Sequence, residues 1–174
     1  TPNEDLIYHF YTSFKLKDYR GMQECYADNA TFSDSVFTKL NADQARAMWQ
    51  MLISRGKDLE LEFKILSSNG NQVNAEWIAY YTFSATKRKV RNHILAEFEV
   101  VDGKIVKHTD RFGFHTWAKQ ALGTTGLLRQ RRDPGERGGP GGAHGLHRAA
   151  LARGVDRARR AACHRRAGGG GLPH

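Results

Sequence analysis

From Leu59 onward the sequence alternates. Leu59, Leu61, Phe63 and Ile65 are apolar and separated by polar residues; Val73, Ala75, Trp77, Ala79, Tyr81 and Phe83 repeat the pattern, as do Ile94, Ala96, Phe98 and Val100. A period of two puts successive side chains on opposite faces, so this half of the chain suits long strands with one buried face. Asn69-Gly70-Asn71, Lys87-Arg88-Lys89 and Asp102-Gly103 punctuate it, the last being a strong type I′ hairpin signal. A fourth strand is expected from Lys104 to about His115. Trp117, Ala121 and Leu122 then suggest a short closing segment before Gly123.

Before Leu59 the period is that of a helix. Asn3 can cap a first helix carrying Leu6, Ile7, Phe10 and Phe14. Asp18 can cap a second with Met22, Cys25 and Tyr26, after which Ala27-Asp28-Asn29 hands over to a short strand, Ala30 to Asp34. Asn41 with Gln44 reads as the capping box of a third, with Ala45, Met48, Trp49, Leu52 and Ile53, ended by Gly56. Three helices followed by four long strands predict segregated layers, an α+β domain with an antiparallel sheet and not a parallel one.

The formal charge of +9 invites a nucleic-acid reading, but the charge is unevenly placed. Residues 1–128 hold 16 Lys and Arg against 15 Asp and Glu, whereas residues 129–174 hold 11 against 3. The domain is therefore expected to span 1–128, near neutral and without an electrostatic footprint for phosphate backbones. Residues 129–174 form an Arg/Gly/Ala-rich tail that lacks Lys, Ile, Ser, Thr, Phe, Tyr and Trp, and disorder is expected there. Nucleic-acid binding through this tail would be steeply salt-dependent and lost on truncation at Leu128. Its residue types are also those specified by GC-rich codons, which raises the hypothesis of an alternate-frame product; an intact frame shared by related genes would exclude it. No apolar run approaches a membrane span. Cys25 and Cys163 have neither a pairing framework nor metal-ligand spacing, which favours a reducing, cytoplasmic setting.

On the fourth strand, alternation puts Val106, His108, Asp110, Phe112 and Phe114 on one face, so a His and an Asp stand side by side on a face otherwise fit for a core. The third strand's apolar set extends back to Asn92, and Asp34 closes the first short strand among Phe32, Val36 and Phe37. Asp34, Asn92, His108 and Asp110 are thus expected to share one cavity, with Phe14, Trp49, Trp77 and Phe112 as walls. A satisfied hydrogen-bond network that only fixes the core is one reading. The other is proton transfer, because carboxylates in apolar surroundings hold their protons to higher pH.

The stretch from Ile7 to Asp34, IYHFYTSFKLKDYRGMQECYADNATFSD, resembles the opening of NTF2-like proteins, a superfamily that includes ketosteroid isomerases and SnoaL-like polyketide cyclases. The run from Asn92 to Gly123, NHILAEFEVVDGKIVKHTDRFGFHTWAKQALG, is closer still to SnoaL-like members. The resemblance implies a cone of three N-terminal helices on a curved antiparallel sheet that encloses a pocket, with two copies pairing as a homodimer through the exposed sheet face. It places Asp34 where ketosteroid isomerases carry their proton-shuttling aspartate, and the His108-x-Asp110 pair where SnoaL-like cyclases carry their acid-base group. The isomerase's oxyanion hole uses a tyrosine and a protonated aspartic acid; Phe10 and Ala96 stand at the corresponding positions and cannot donate. The function implied is a cofactor-independent, metal-free isomerase, cyclase or dehydratase acting on a small apolar or cyclic molecule. Asp34, His108 and Asp110 would be catalytic, with Asn92, Trp49, Trp77, Phe14 and Phe112 binding the ligand. A non-catalytic ligand-binding or dimerisation module of the same superfamily is the alternative.

Overall fold

The computed structural model describes residues 1–35 and 37–131. Helix α1 (Pro2–Lys15) begins two residues earlier than its sequence suggests: Thr1 is the N-cap and forms a capping box with Glu4, Pro2 opening the first turn. Asn3 lies inside the helix and donates from Nδ2 to the Gly70 carbonyl at 3.2 Å, tying α1 to the first hairpin. Its buried stripe is Ile7, Phe10, Tyr11 and Phe14. Helix α2 (Tyr19–Glu24) is capped by Asp18. Helix α3 (Ala42–Arg55) has the Asn41–Gln44 capping box, stops at Gly56, and buries Ala45, Met48, Trp49 and Ile53.

Strands β1 (Tyr26–Ser33), β2 (Leu40–Asn41), β3 (Glu60–Asn69), β4 (Gln72–Phe83), β5 (Arg88–Val101) and β6 (Lys104–Arg111) form one sheet in the order β2-β1-β6-β5-β4-β3. Every pairing is antiparallel except β1 with β6, which is parallel. The sheet is thus antiparallel as expected but for this one parallel pair. A parallel neighbour needs a long crossover, and here the whole α3–β5 stretch separates the two strands in sequence. Ala27, Asp28 and Asn29 do not end a helix but lie within β1, where the register to β6 shifts between Tyr26 and Thr31. Asp102 and Gly103 both have positive φ, 51° and 72°, the two-residue geometry that a type I′ turn demands.

The inward face of the sheet alternates as its sequence does, with Val73, Ala75, Trp77 and Ala79 on β4 and Ile94, Ala96, Phe98 and Val100 on β5 all buried. On β6 the pattern breaks. The register to β5 shifts between Glu99 and Val100, so Ile105 opposes Val100 and fills the core while Val106 is only half-buried. A bulge adds one residue and moves the following side chains back into phase, which keeps His108 and Asp110 inward.

β6 ends at Arg111, short of the expected His115, because Phe114 already opens helix α4 (Phe114–Arg131). This is more than a short closing segment, although the helix breaks at Gly123 (φ 71°, ψ 168°). Trp117, Ala118 and Ala121 pack on Val90, and the β4–β5 turn holds the helix from outside: Arg88 Nε donates to the Gln120 carbonyl at 2.8 Å, and the Arg91 amide to Gln120 Oε1 at 2.7 Å. The expected boundary at Leu128 falls inside α4, and the tail from 132 onward, including Cys163, lies outside the described residues. Val36, grouped with Asp34 in the sequence, lies outside them as well.

Candidate functional site

Helices α1 and α3 do not press flat on the curved sheet. Between them is a cavity of about 250 Å³, lined chiefly by Phe14 from α1, Met48, Trp49 and Leu52 from α3, Phe32 from β1, Trp77 and Ala79 from β4, Ile94 from β5, and Trp117 from α4. On the β4 wall the small side chain of Ala79 leaves room beside the large rings. Asp34, Asn92, Asp110 and Phe112 also reach the lining. The structure thus brings together seven of the eight residues singled out in the sequence: Phe14, Asp34, Trp49, Trp77, Asn92, Asp110 and Phe112. His108 stands behind Asp110, not on the cavity wall.

Asp110 is the most enclosed carboxylate among the described residues, only 4% exposed. Its Oδ1 lies 2.8 Å from His108 Nε2, and Oδ2 has no hydrogen-bond partner among the described residues. His108 is held in turn: Nδ1 lies 2.7 Å from the Tyr26 hydroxyl, and Trp49 Nε1 donates to that same hydroxyl at 2.9 Å. An indole can only donate, so its proton fixes one side of Tyr26. The Tyr26 proton then goes to His108 Nδ1, and His108 Nε2–H donates to Asp110. A doubly protonated ring would leave the Tyr26 proton without an acceptor among the described residues. The network therefore selects the neutral Nε2–H tautomer and points every donor, from Trp49 inward, at the Asp110 carboxylate.

The imidazole is sealed by rings. Phe98 lies 4.1 Å from it, centroid to centroid, Phe32 4.9 Å edge-on and Phe10 5.7 Å edge-on, with Trp49 stacked at 6.1 Å. Burial pushes the Tyr26 hydroxyl well above its ordinary pKa, with the Trp49 bond pulling the other way, so Tyr26 stays a donor over the working pH range. Arg46 on α3 fixes the backbone here, donating from Nη2 to the Tyr26 carbonyl at 2.8 Å. Neither periodicity nor spacing marked Tyr26, because its hydroxyl meets His108 across 82 residues of sequence.

Asp34 is half-buried and sits differently, in the loop after β1. Its Oδ1 accepts from the Phe37 amide at 2.5 Å and its own amide donates to the Phe37 carbonyl at 2.9 Å, a tight turn closed on itself. Ser35 ties that turn to the end of β6, its hydroxyl donating to the Phe112 carbonyl at 3.0 Å. At the other end of the cavity Trp117 Nε1 donates to Tyr81 at 2.6 Å, and Arg55 is the only cation among the described lining residues. Phe10 and Ala96 are sealed core residues and offer the cavity no donor. Among the described residues no group of three or more His, Cys, Asp or Glu could hold a metal ion, and no helix is long and apolar enough to cross a membrane.

A family model described as a SnoaL-like domain matches residues 7–108. No curated protein sequence matches the chain significantly. Solved structures similar to it include a LEH-like epoxide hydrolase of M. tuberculosis, 19% identical over 74% of this chain and 93% of that one, with a TM-score of 0.57. A putative polyketide cyclase of Xanthomonas campestris is 20% identical over 68% and 96%, TM-score 0.57. A putative polyketide cyclase of Silicibacter is 19% identical over 68% and 94%, TM-score 0.61. At these identities the likeness is one of fold, and it is that of the NTF2-like cone.

Proposed function

Because the chain belongs to the SnoaL-like domain family, we propose that it binds a small cyclic molecule in this cavity and moves a proton at a carbon next to a carbonyl, in an isomerisation, cyclisation or dehydration. The observation that carries this reading is Asp110: a carboxylate enclosed in an apolar cavity, with one oxygen held by a neutral histidine and the other without a partner among the described residues. Such a group can take a proton from a C–H held against it. The C–H electron pair becomes a C=C bond, the carbonyl π pair moves to oxygen, and the carboxylic acid formed returns the proton to another carbon or to a leaving oxygen. His108 holds Asp110 in place through this cycle. Asn92, on the cavity wall, is placed to orient a polar group of the substrate, and the rings of Phe14, Trp49 and Phe112 exclude water. Asp34, on the same wall, is the second candidate proton carrier.

α-Proton exchange tests this with simple ring ketones in place of the natural substrate. In D2O the protein is expected to accelerate deuterium incorporation beside the carbonyl of 1-indanone or 2-tetralone, followed by proton NMR. Asp110→Asn should reduce the acceleration by roughly 10²–10⁴-fold, the usual contribution of a positioned acid-base group. Acceleration unchanged in both Asp110→Asn and Asp34→Asn would remove acid-base catalysis by these carboxylates. Binding of the ketones without any exchange would instead favour the non-catalytic ligand-binding module.

A further inference from the structure

One polar contact joins the sheet to helix α4 at the end of the cavity away from Asp110. Trp117 Nε1 donates to the Tyr81 hydroxyl at 2.6 Å, and both residues line the cavity. An indole N–H can only donate, so this bond uses a lone pair of the hydroxyl and leaves its one proton unspent. That proton has no acceptor among the described residues. Tyr81 is half-buried and not sealed in the core, and burial raises its pKa, so the proton stays on the oxygen at neutral pH. The bond received from Trp117 also polarises the O–H and makes it a stronger donor.

We propose that the Tyr81 hydroxyl donates to an oxygen of the bound molecule remote from its reacting carbon, so that the cavity selects ring compounds carrying a second oxygen at that end. The inference rests on the cyclic-ligand reading above and deepens it by assigning the far end of the ligand. The sheet register gives the separation. Asp110 opposes Ala96 on β5, and the lining residue Asn92 stands four residues along the same strand, about 13 Å at the usual strand rise. Ala79 opposes Asn92, and Tyr81 is the next inward-facing residue along β4, so Asn92 and Tyr81 are diagonal neighbours on adjacent strands. The two lining carboxylates are both at the opposite end, since Asp34 follows Ser33, which pairs with Thr109 beside Asp110. Asp110 and Tyr81 therefore address different parts of one ligand. An occupant that reaches Tyr81 displaces water from its hydroxyl, and a hydrocarbon edge there leaves the proton without an acceptor, which is unfavourable. An oxygen at that edge restores the bond.

6-Acetyl-2-tetralone and 6-isopropenyl-2-tetralone share a shape and a ring ketone, but only the first carries an oxygen on the ring remote from that ketone. With three tryptophans the ¹⁵N-labelled full chain gives three indole N–H signals, assignable from Trp49→Phe, Trp77→Phe and Trp117→Phe. Both compounds should move indole signals. The acetyl compound alone should shift the Trp117 N–H downfield, because a hydroxyl that donates becomes a better acceptor. The unaltered chain should prefer the acetyl compound by roughly three- to tenfold, the worth of one hydrogen bond, and Tyr81→Phe should reduce that preference below about twofold. A Trp117 shift and an affinity that are the same for both compounds overturn the proposal and leave the cyclic-ligand reading standing. So does a preference that survives in Tyr81→Phe. If neither compound moves any indole signal, the cyclic-ligand reading falls and this inference with it. Should Tyr81→Phe not fold, the two titrations of the unaltered chain decide alone.

Discussion

Tyr26 carries more of this structure than its place in the sequence suggests. One hydroxyl accepts from Trp49, donates to His108 and so determines which nitrogen of His108 faces Asp110. Tyr26→Phe keeps the ring and removes that oxygen, leaving the Trp49 N–H and His108 Nδ1 both buried and unpaired. Each such group costs about 1–3 kcal/mol, so urea unfolding should report a loss of roughly 2–6 kcal/mol. Side-chain ¹⁵N shifts of His108 should show protonated Nε2 and unprotonated Nδ1 in the unaltered protein, with Nδ1 moving on substitution. A loss below about 0.5 kcal/mol together with an unmoved Nδ1 signal would mean that the hydroxyl does not hold the imidazole. At this scale the sequence was legible for residues whose anomaly is local. Asp110 and His108 stand out because they are polar on an apolar alternation, and Asn92 because it extends one. Tyr26 and Tyr81 do not stand out, since an aromatic residue on a buried face fits the pattern whether or not its polar atom has a partner.

At the scale of elements, the site depends on α3, which delivers Met48, Trp49 and Leu52 to one side of the cavity. Its start is set by Asn41, whose Oδ1 accepts from the Gln44 amide at 2.9 Å while Gln44 Oε1 accepts from the Asn41 amide at 2.9 Å. Asn41→Ala should cost about 1 kcal/mol, within the usual range of roughly 0.5–2 kcal/mol for such caps. The same variant should leave the Asp102-Gly103 hairpin unaffected, a contrast that amide exchange resolves by element. Equal destabilisation throughout, with no excess exchange in the first turn of α3, would count against the capping assignment. This box was readable because its two partners lie three residues apart. So were the hairpins, where Asn-Gly and Asp-Gly supply positive φ within the turn itself. The parallel pairing of β1 with β6 and the bulge that exchanges Val106 for Ile105 were not readable, because each is decided by a neighbour strand distant in sequence. The helical α4 was only partly so. Gly123 marked its break, but the support for the turns before it comes from Arg88, Arg91 and Val90 on the far hairpin.

Among the described residues, the enclosed ionisable groups whose pKa values are shifted are acids kept neutral, and this sets how the stability of the whole molecule should depend on pH. Burial pushes the Cys25 thiol from 9.0 up to about 12. Burial likewise raises Tyr11, with the Asp110 charge adding to it, and Tyr26, with the Trp49 bond opposing. Tyr81 is raised by burial against the opposing bond from Trp117. A group whose folded pKa lies above its unfolded value binds its proton more tightly when folded. Its contribution is fully present below the unfolded pKa and disappears as pH rises through the folded one. For Cys25 that window runs from about pH 9 to about pH 12; for the three tyrosines it opens near their ordinary value of 10.0. The urea midpoint should therefore begin to fall near pH 9 and drop more steeply above pH 10, where Tyr11 and Tyr26 would have to ionise inside the ring cluster that encloses His108. Cys25→Ala should flatten the first part of the fall and leave the second, separating thiol from tyrosines. On the acid side Asp58 is shifted the other way, lowered first by its bonds to Thr82, and what it contributes is lost as pH falls below about 3.8. Because Asp58 is exposed in the turn before β3 and accepts from the Thr82 amide near the end of β4, acid should loosen the rim of the cavity, where Thr82 and Tyr81 stand, and alkali the interior. Equal urea midpoints at about pH 7.5 and about pH 10.5 would show that these hydroxyls and the thiol ionise as readily folded as unfolded. The sealed Trp49–Tyr26–His108 network would then not exist in the form that orients Asp110.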